Sequence, residues 1–420
     1  MNPQPRVIAN ELQSIVGAEH VREAEPPYPP GVVMPLLLVE PGSAEELALV
    51  LRAARDAQVA VLPRGGGTKL EWGNAPRSAA LVLSTRRLDR VIDHAWADMT
   101  ATVEAGCTVA RLQETLAQHG QRLALDPLWP ERATIGGILA TNDSGTLRVR
   151  FGALRDLILG VMVALPDGTL AKSGGRVVKN VAGYDLPKLF TGSLGTLGVI
   201  IQATFRLYPL PRETHSLSFS LEDVAAANRL MLAVLDSPLA PTGLQLRVAG
   251  ESSPQLDVRF EGVAAAAQMR RLLALAGDAE HTEAALEVWA LRESLWQGQE
   301  PGLVCKFSVL PADLAAVCEE IRRVAGRLRL RWSVIAQAVG VGLLRLEGPN
   351  QEALAAALGV LRAEFEARAG SLVLLHTPPD FHGRIDVWGD PGDALPLMRR
   401  VKEQFDPAGI LNPGRFVGGL

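Results

Sequence analysis

Three glycine-rich stretches lie between Val61 and Ile200. The tightest is VLPRGGGTKL, Val61 to Leu70, in which Gly65, Gly66 and Gly67 follow a short apolar strand pattern. Each glycine gives up roughly 0.5 to 1 kcal/mol relative to alanine in regular structure, so a triplet needs a backbone reason. A plain turn needs one or two positive-φ positions, whereas a ligand held by bare amides uses several together. The second stretch, WPERATIGGILATNDSG from Trp129, holds Gly136, Gly137 and Gly145 among small polar residues. The third, SGGRVVKNVAGYDLPKLFTGSLGTLGVI from Ser173, places glycines at 174, 175, 183, 192, 195 and 198. Taken singly, each suits a turn or a close contact as well as a ligand. Three in one module point to a long ligand wrapped by backbone.

The elements around the first loop are legible. In PLLLVEPGSAEELALVLRAARDAQVAVLPRGGG, Ser43 and Glu46 form a capping box, and Leu47, Val50, Leu51 and Ala54 share one helical face. The order is strand, helix, strand, glycine loop. Further strands are predicted at Ala80, Thr100 and Gly160, the last turning at Pro-Asp-Gly, with a helix over 109–119. The loop itself is neither of two familiar phosphate binders. A Walker loop needs Lys then Ser/Thr after its last glycine, and here Thr68 precedes Lys69; a G-x-G-x-x-G fingerprint fails because position 70 is Leu. What remains is a run of amides from Gly65 to Lys69 able to face one anion, each charge-assisted bond contributing about 1.5 to 3 kcal/mol.

From about Arg212 the pattern changes. THSLSFSLEDVAAANRLMLAVL and GLVCKFSVLPADLAAVCEEIRRVAG each run strand, turn, alanine-rich helix, with a shared echo at Phe219 and Phe307. Either two related β-α-β modules form a ferredoxin-like sheet under helices, or two amphipathic helices resemble each other by composition.

At 420 residues two or three domains are expected. A net charge of -4, with no basic run interleaved with aromatics, disfavours nucleic acid. Cys107, Cys305 and Cys318 are too few and too scattered for a disulfide framework or a four-thiolate iron-sulfur site. An electron leaving through such a cluster must reach it in a partner. The N-terminal residues lack the apolar core of a signal peptide, and no apolar run approaches the roughly 18 residues of a spanning helix. A cytoplasmic protein without direct membrane insertion is expected.

PRGGGT, TIGG...ATNDSG, KNVAGYDLPKLFTGSLGTLGVI and the final FDPAGILNPGR together resemble the FAD-binding module of the p-cresol methylhydroxylase (PCMH) and vanillyl-alcohol oxidase superfamily. The resemblance implies an α+β chain: a PCMH-type FAD-binding domain of two α/β subdomains plus a ferredoxin-like α+β cap domain. The expected boundaries are a helical segment over 1–28, the FAD-binding domain over 29–211, the cap over 212–392 and a segment over 393–420 that returns to the flavin. Arg64, Gly65, Gly66, Gly67, Thr68, Lys69 and Leu70 then match the loop around the pyrophosphate. Asp126, Pro127, Thr134, Gly136, Gly137, Thr141, Asn142 and Gly145 match the segment along the phosphates, ribityl chain and ring. Val199 and Ile200 match residues whose backbone meets the adenine and flavin side, and Asn412 matches a residue near the isoalloxazine.

Departures from the superfamily pattern set further expectations. Covalent attachment there uses His, Cys or Tyr, and the pyrophosphate loop has none, so FAD is expected to be non-covalent. Relatives that use a divalent metal carry paired histidines and a Glu-His segment; only His376 and His382 in HTPPDFH stand here, and no metal is expected. No catalytic base stands out. Arg292 in WALRESLW is the candidate clamp for a substrate carboxylate, although Trp289 and Trp296, seven apart, also suit a packed helix face. The VVKNVAGYDL stretch and the tail most resemble flavin subunits of the glycolate oxidase type. That implies an oxidoreductase for a small 2-hydroxy acid, glycolate or D-lactate, with a sister flavin subunit and an iron-sulfur subunit as partners. Alternatives are a flavin-carrying subunit with no turnover alone and a UDP-N-acetylenolpyruvoylglucosamine reductase-type enzyme, the latter opposed by ILNPG and KNVAGYDL.

Overall fold

The computed structural model describes residues 4–26, 28–29, 31–32, 37–175, 184–378, 381 and 385–420. Most of the VVKNVAGYDL motif, and His382, lie outside the described residues. The chain forms two compact units: residues 1–144, 153–210 and 382–420 make the first, and 145–152 with 211–381 the second.

The first unit holds two main sheets. Strands β1 (Val21–Glu23), β2 (Leu37–Val39), β3 (Val61–Arg64) and β4 (Leu81–Ser84) order as β1-β2-β4-β3, with β4 parallel to both β2 and β3. Helix α1 (Gln4–Val16) packs on α2 (Ala44–Asp56), the crossover between β2 and β3. Ser43 caps α2 by accepting the Glu46 amide at 3.1 Å, while the Glu46 carboxylate accepts from Gly42 at 2.7 Å rather than from Ser43 itself. Leu47, Val50, Leu51 and Ala54 bury the expected face against Val61, Leu81 and Leu83. Each such aliphatic burial contributes about 1.5–3 kcal/mol, which fixes the end of β3 and therefore the start of the glycine loop.

The second sheet is antiparallel throughout. Strands β5 (Val91–Ala95), β6 (Thr100–Glu104), β8 (Ile158–Ala164), β9 (Leu170–Gly174) and β10 (Val199–Arg206) order as β5-β6-β10-β8-β9. A short ribbon pairs β7 (Gln121–Arg122) with β11 (Tyr208–Pro209). Helix α3 spans Val109–Ala117, two residues short of the 109–119 expected, because the chain turns into Gly120 at φ 65°. Helix α4 (Ile135–Thr141) carries the second glycine stretch; α6 (Leu154–Leu157), α7 (Leu186–Phe190) and α12 (Leu395–Phe405) complete the unit.

The second unit settles the Phe219/Phe307 echo in favour of two modules. The first runs β12 (Thr214–Ser220), α8 (Val224–Asp236), β13 (Gly243–Ala249), β14 (Gln255–Glu261), α9 (Ala265–Ala276), β15 (Glu280–Glu283). The second runs β16 (Gly302–Ser308), α10 (Leu314–Leu328), β17 (Arg331–Gln337), β18 (Val341–Glu347), α11 (Gln351–Ala367), β19 (Ser371–His376). They join through β13 and β17 into one sheet ordered β15-β12-β14-β13-β17-β18-β16-β19, a palindrome of strand roles. Phe219 and Phe307 hold the same place in β12 and β16, and both are fully buried. The turn α5 (Arg148–Phe151) packs on β13. The stretch Leu286–Trp296 between the modules is 3-10 rather than α-helical, so the seven-residue spacing of Trp289 and Trp296 does not define one α-helical face.

Candidate functional site

The glycine loop leaves β3 at Arg64 and lines a cleft with Thr134, Gly137, Ala140, Thr141, Leu194, Asn412 and Arg415. Among the described residues no acceptor takes the amides of Gly65, Gly66, Gly67 or Thr68. Unpaired amides in succession are the anion-binding arrangement expected from the sequence. The reason for glycine differs by position. A Cβ on Gly65 would lie 2.0 Å from Thr134 Oγ1, and one on Gly66 would lie 1.8 Å from the Arg132 carbonyl oxygen. Gly67 has φ 76°. Two of the three glycines thus let the loop press on the segment before α4, and the third lets it turn.

Helix α4 is held in place by its own first turn. Thr134 accepts the Gly137 amide at 3.3 Å, Ile135 donates to Cys107 O at 2.9 Å, and Gly136 donates to Ala105 O at 2.8 Å. Its other end receives the third glycine stretch: Gly192 donates to Leu139 O and Leu194 to Ala140 O, both at 2.8 Å. Asn142 closes α4 at φ 49°, and its Oδ1 is buried without a partner.

The C-terminal tail closes the cleft. Asp406, 2% exposed, accepts the amides of Ile410 and Leu411 at 3.2 and 2.8 Å and the Lys402 ammonium at 2.6 Å. Lys402 also donates to Thr196 O and Leu411 O, and burial lowers its pKa. This turn lays the tail on the free edge of β3, where Val61 donates to Ile410 O and Asn412 to Val61 O. Asn412, at φ 44°, donates from Nδ2 to Leu194 O at 2.6 Å, and its Oδ1 has no partner.

Arg415 was not anticipated. It is 3% exposed, donates from Nη2 to Leu70 O and Trp72 O at 2.5 Å, and leaves Nε without an acceptor. Among the described residues no carboxylate pairs with it, and burial lowers its pKa to about 10. A buried, uncompensated guanidinium is costly unless an anion comes to it. Its only sequence signal is a lone charge directly after ILNPG.

Lys69 departs from its expected part. Its ammonium sits 3.2 Å from Asp143 Oδ2, each side chain 4% exposed, and donates to Leu128 O at 3.2 Å. Asp143 also accepts the Leu128 amide, and the rings of Trp129 and Trp72 lie 5.3 and 5.8 Å from the ammonium. Lys69 lines the cleft, yet its charge is balanced within the protein.

Of the residues singled out in the sequence, Arg64 to Leu70, Thr134, Gly137, Thr141 and Asn412 line the cleft. Asp126, Pro127, Gly136, Asn142, Gly145, Val199 and Ile200 do not. Gly136 packs against Ala105, where a Cβ would come within 2.9 Å of the alanine Cβ. Val199 and Ile200 are buried in β10 opposite Ala164 and Val163 of β8. Gly145 belongs to the second unit, as does Arg292, which is 5% exposed and engaged within the protein. Burial pushes the Cys107 thiol up to about 11, so it is protonated at neutral pH. Among the described residues no cluster of three or more His, Cys, Asp or Glu could hold a metal, and no helix is long and apolar enough to cross a membrane.

Free amides, orphaned carboxamide oxygens and an uncompensated arginine fit a pyrophosphate dinucleotide. Known proteins agree. Residues 35–174 match the FAD binding domain family, and residues 390–416 match the C-terminal domain of FAD linked oxidases. Glycolate oxidase subunit GlcD of Bacillus subtilis is 26% identical over 419 residues, covering 91% of this chain and 89% of that protein. D-lactate dehydrogenase of Archaeoglobus fulgidus is 27% identical, covering 95% of both. The fold is that of substrate-bound p-cresol methylhydroxylase, with a TM-score of 0.79 at 15% identity over 99% of this chain and 97% of that one. The chain is an FAD-linked oxidoreductase with a PCMH-type FAD-binding fold.

Proposed function

We propose that this chain oxidises a small 2-hydroxy acid, glycolate or D-lactate, and passes the electrons to a partner subunit. One observation carries the reading: two relatives matched along 89% and 95% of their own length are named for the oxidation of such acids. When bound, FAD supplies the acceptor for the hydride on the carbon that bears the hydroxyl. The chain's part is to hold it. The amides of Gly65 to Thr68 and the guanidinium of Arg415 take the pyrophosphate, Asn412 faces the ring side, and Asp406 keeps the tail on β3. FAD is held without a covalent bond. Within a glycolate oxidase-type assembly the chain resembles the FAD-binding E subunit, GlcE. A sister flavin subunit and an iron-sulfur subunit complete the complex, because three scattered cysteines cannot ligate a four-thiolate cluster.

The residues lining the cleft include no His, Asp or Glu. A second reading is a subunit that carries flavin without turnover of its own. Anaerobic addition of glycolate or D-lactate to the purified yellow protein separates the two. Bleaching of the oxidised-flavin absorbance is the expected result for a chain active alone. Bleaching only after co-expression with the sister subunits supports the second reading, and no bleaching in either case removes the 2-hydroxy acid.

A further inference from the structure

We propose that the face of the second unit's sheet turned away from its helices carries a carboxylate-binding site built on Arg247. The inference deepens the reading above and rests on it for the identity of the acid.

The duplicated sheet supplies its own control. Across it run two rows of directly paired residues, and the palindrome of strands exchanges one for the other. The first is Ser218, Asp257, Gln245, Gln337. The second is Lys306, Leu343, Ile335, Arg247. Asp257 therefore stands where the sister module has Leu343, and Arg247 stands where it has Gln337. Asp257 is fully buried and accepts four hydrogen bonds: Ser218 Oγ at 2.6 Å, Gln245 Nε2 at 2.9 Å, Arg247 Nε at 2.6 Å and Arg247 Nη2 at 2.9 Å. Taking a carboxylate and a guanidinium out of water is expensive, and aliphatic residues of similar volume often serve stability as well or better. Leu343 shows that this fold accepts an aliphatic side chain at the same place. Folding alone does not account for the pair.

Its geometry suits recognition. Asp257 grips Nε and Nη2 and so fixes the guanidinium plane, while Nη1 donates to nothing in the protein and the side chain stays 24% exposed. A charged planar donor held in one orientation with an edge left over is the pattern that reads a carboxylate. Ile335 lies directly across the β13–β17 seam, and Ser333 diagonally. Ser333 lines an open cavity of about 440 Å³. Arg331 and Arg345, both engaged by Glu347, line the same cavity.

The test titrates the FAD-loaded protein with oxalate, glycolate and D-lactate by calorimetry. Wild type is expected to bind. The double variant D257L/R247Q, which copies Leu343 and Gln337, is expected to keep its FAD, melt at no lower temperature and bind at least roughly tenfold more weakly. Arg247→Lys should fall between, because an ammonium lacks the planar fork. Unchanged affinity in the folded double variant overturns the site. If that variant does not fold, the pair is structural and the site is overturned unless Arg247→Lys, folded and flavin-loaded, still weakens binding. A wild type bleached by a 2-hydroxy acid, with R247Q equally tight and equally fast, removes Arg247 and leaves the reading standing. A wild type that neither binds nor is bleached by any of the acids removes both.

Discussion

The first unit's cleft presents unpaired main-chain amides, whereas the second unit's sheet presents charged side chains. In the cleft of the first unit the amides of Gly65 to Thr68 are unpaired among the described residues and Arg415 lies among the lining residues, while Lys69, next along the loop, is neutralised by Asp143. On the second unit's sheet the ion pairs Arg247–Asp257 and Arg345–Glu347 come from strand side chains. A main-chain site needs close approach, so it is written in glycine and fails when a Cβ is added. A strand-face site needs only alternation, so it tolerates extra carbon and fails when a charge is changed. The difference decides how each should respond to the same substitution.

Glycine to alanine tests it with opposite signs. Gly66→Ala drives a Cβ against the Arg132 carbonyl. Overpacking of this kind costs about 1–3 kcal/mol, so FAD affinity should fall roughly ten- to hundredfold, measured as flavin absorbance per protein after gel filtration. Retention of full flavin would break the comparison at its strongest point. Arg415→Gln comes next. It removes the uncompensated charge, and FAD affinity should fall by roughly tenfold, read as flavin absorbance per folded protein. Smallest is Gly359→Ala, on the exposed side of α11, where a Cβ meets nothing within 4 Å. It should stabilise the second unit by about 0.5–1 kcal/mol in denaturant unfolding and leave flavin content alone.

The same contrast explains what could be read in advance. The β-α-β unit around α2 and the glycine loop carry local signals, a cap, a period or a cluster of glycines, whereas Thr134 before α4 and the return of Asn412 came from the family resemblance. Gly136, in the second glycine cluster, packs against Ala105, and Val199 and Ile200, named through the resemblance, pair within β10. Glycine spacing reports that backbone comes close to something and does not say whether that is a ligand or the protein. Arg415 and the Lys69–Asp143 pair were illegible because each joins segments far apart in the chain. The echo at Phe219 and Phe307 was legible only as an even choice. Strand register decided it, and register also made Leu343 the counterpart of Asp257.

The central claim is that four successive amides in the first unit receive the FAD pyrophosphate. Amide resonances of Gly65, Gly66, Gly67 and Thr68, followed by nuclear magnetic resonance as apoprotein is titrated with FAD, test it directly. The account expects all four protons to move downfield together and saturate at one FAD per chain. Resonances unmoved at saturation, with the flavin bound, would contradict it.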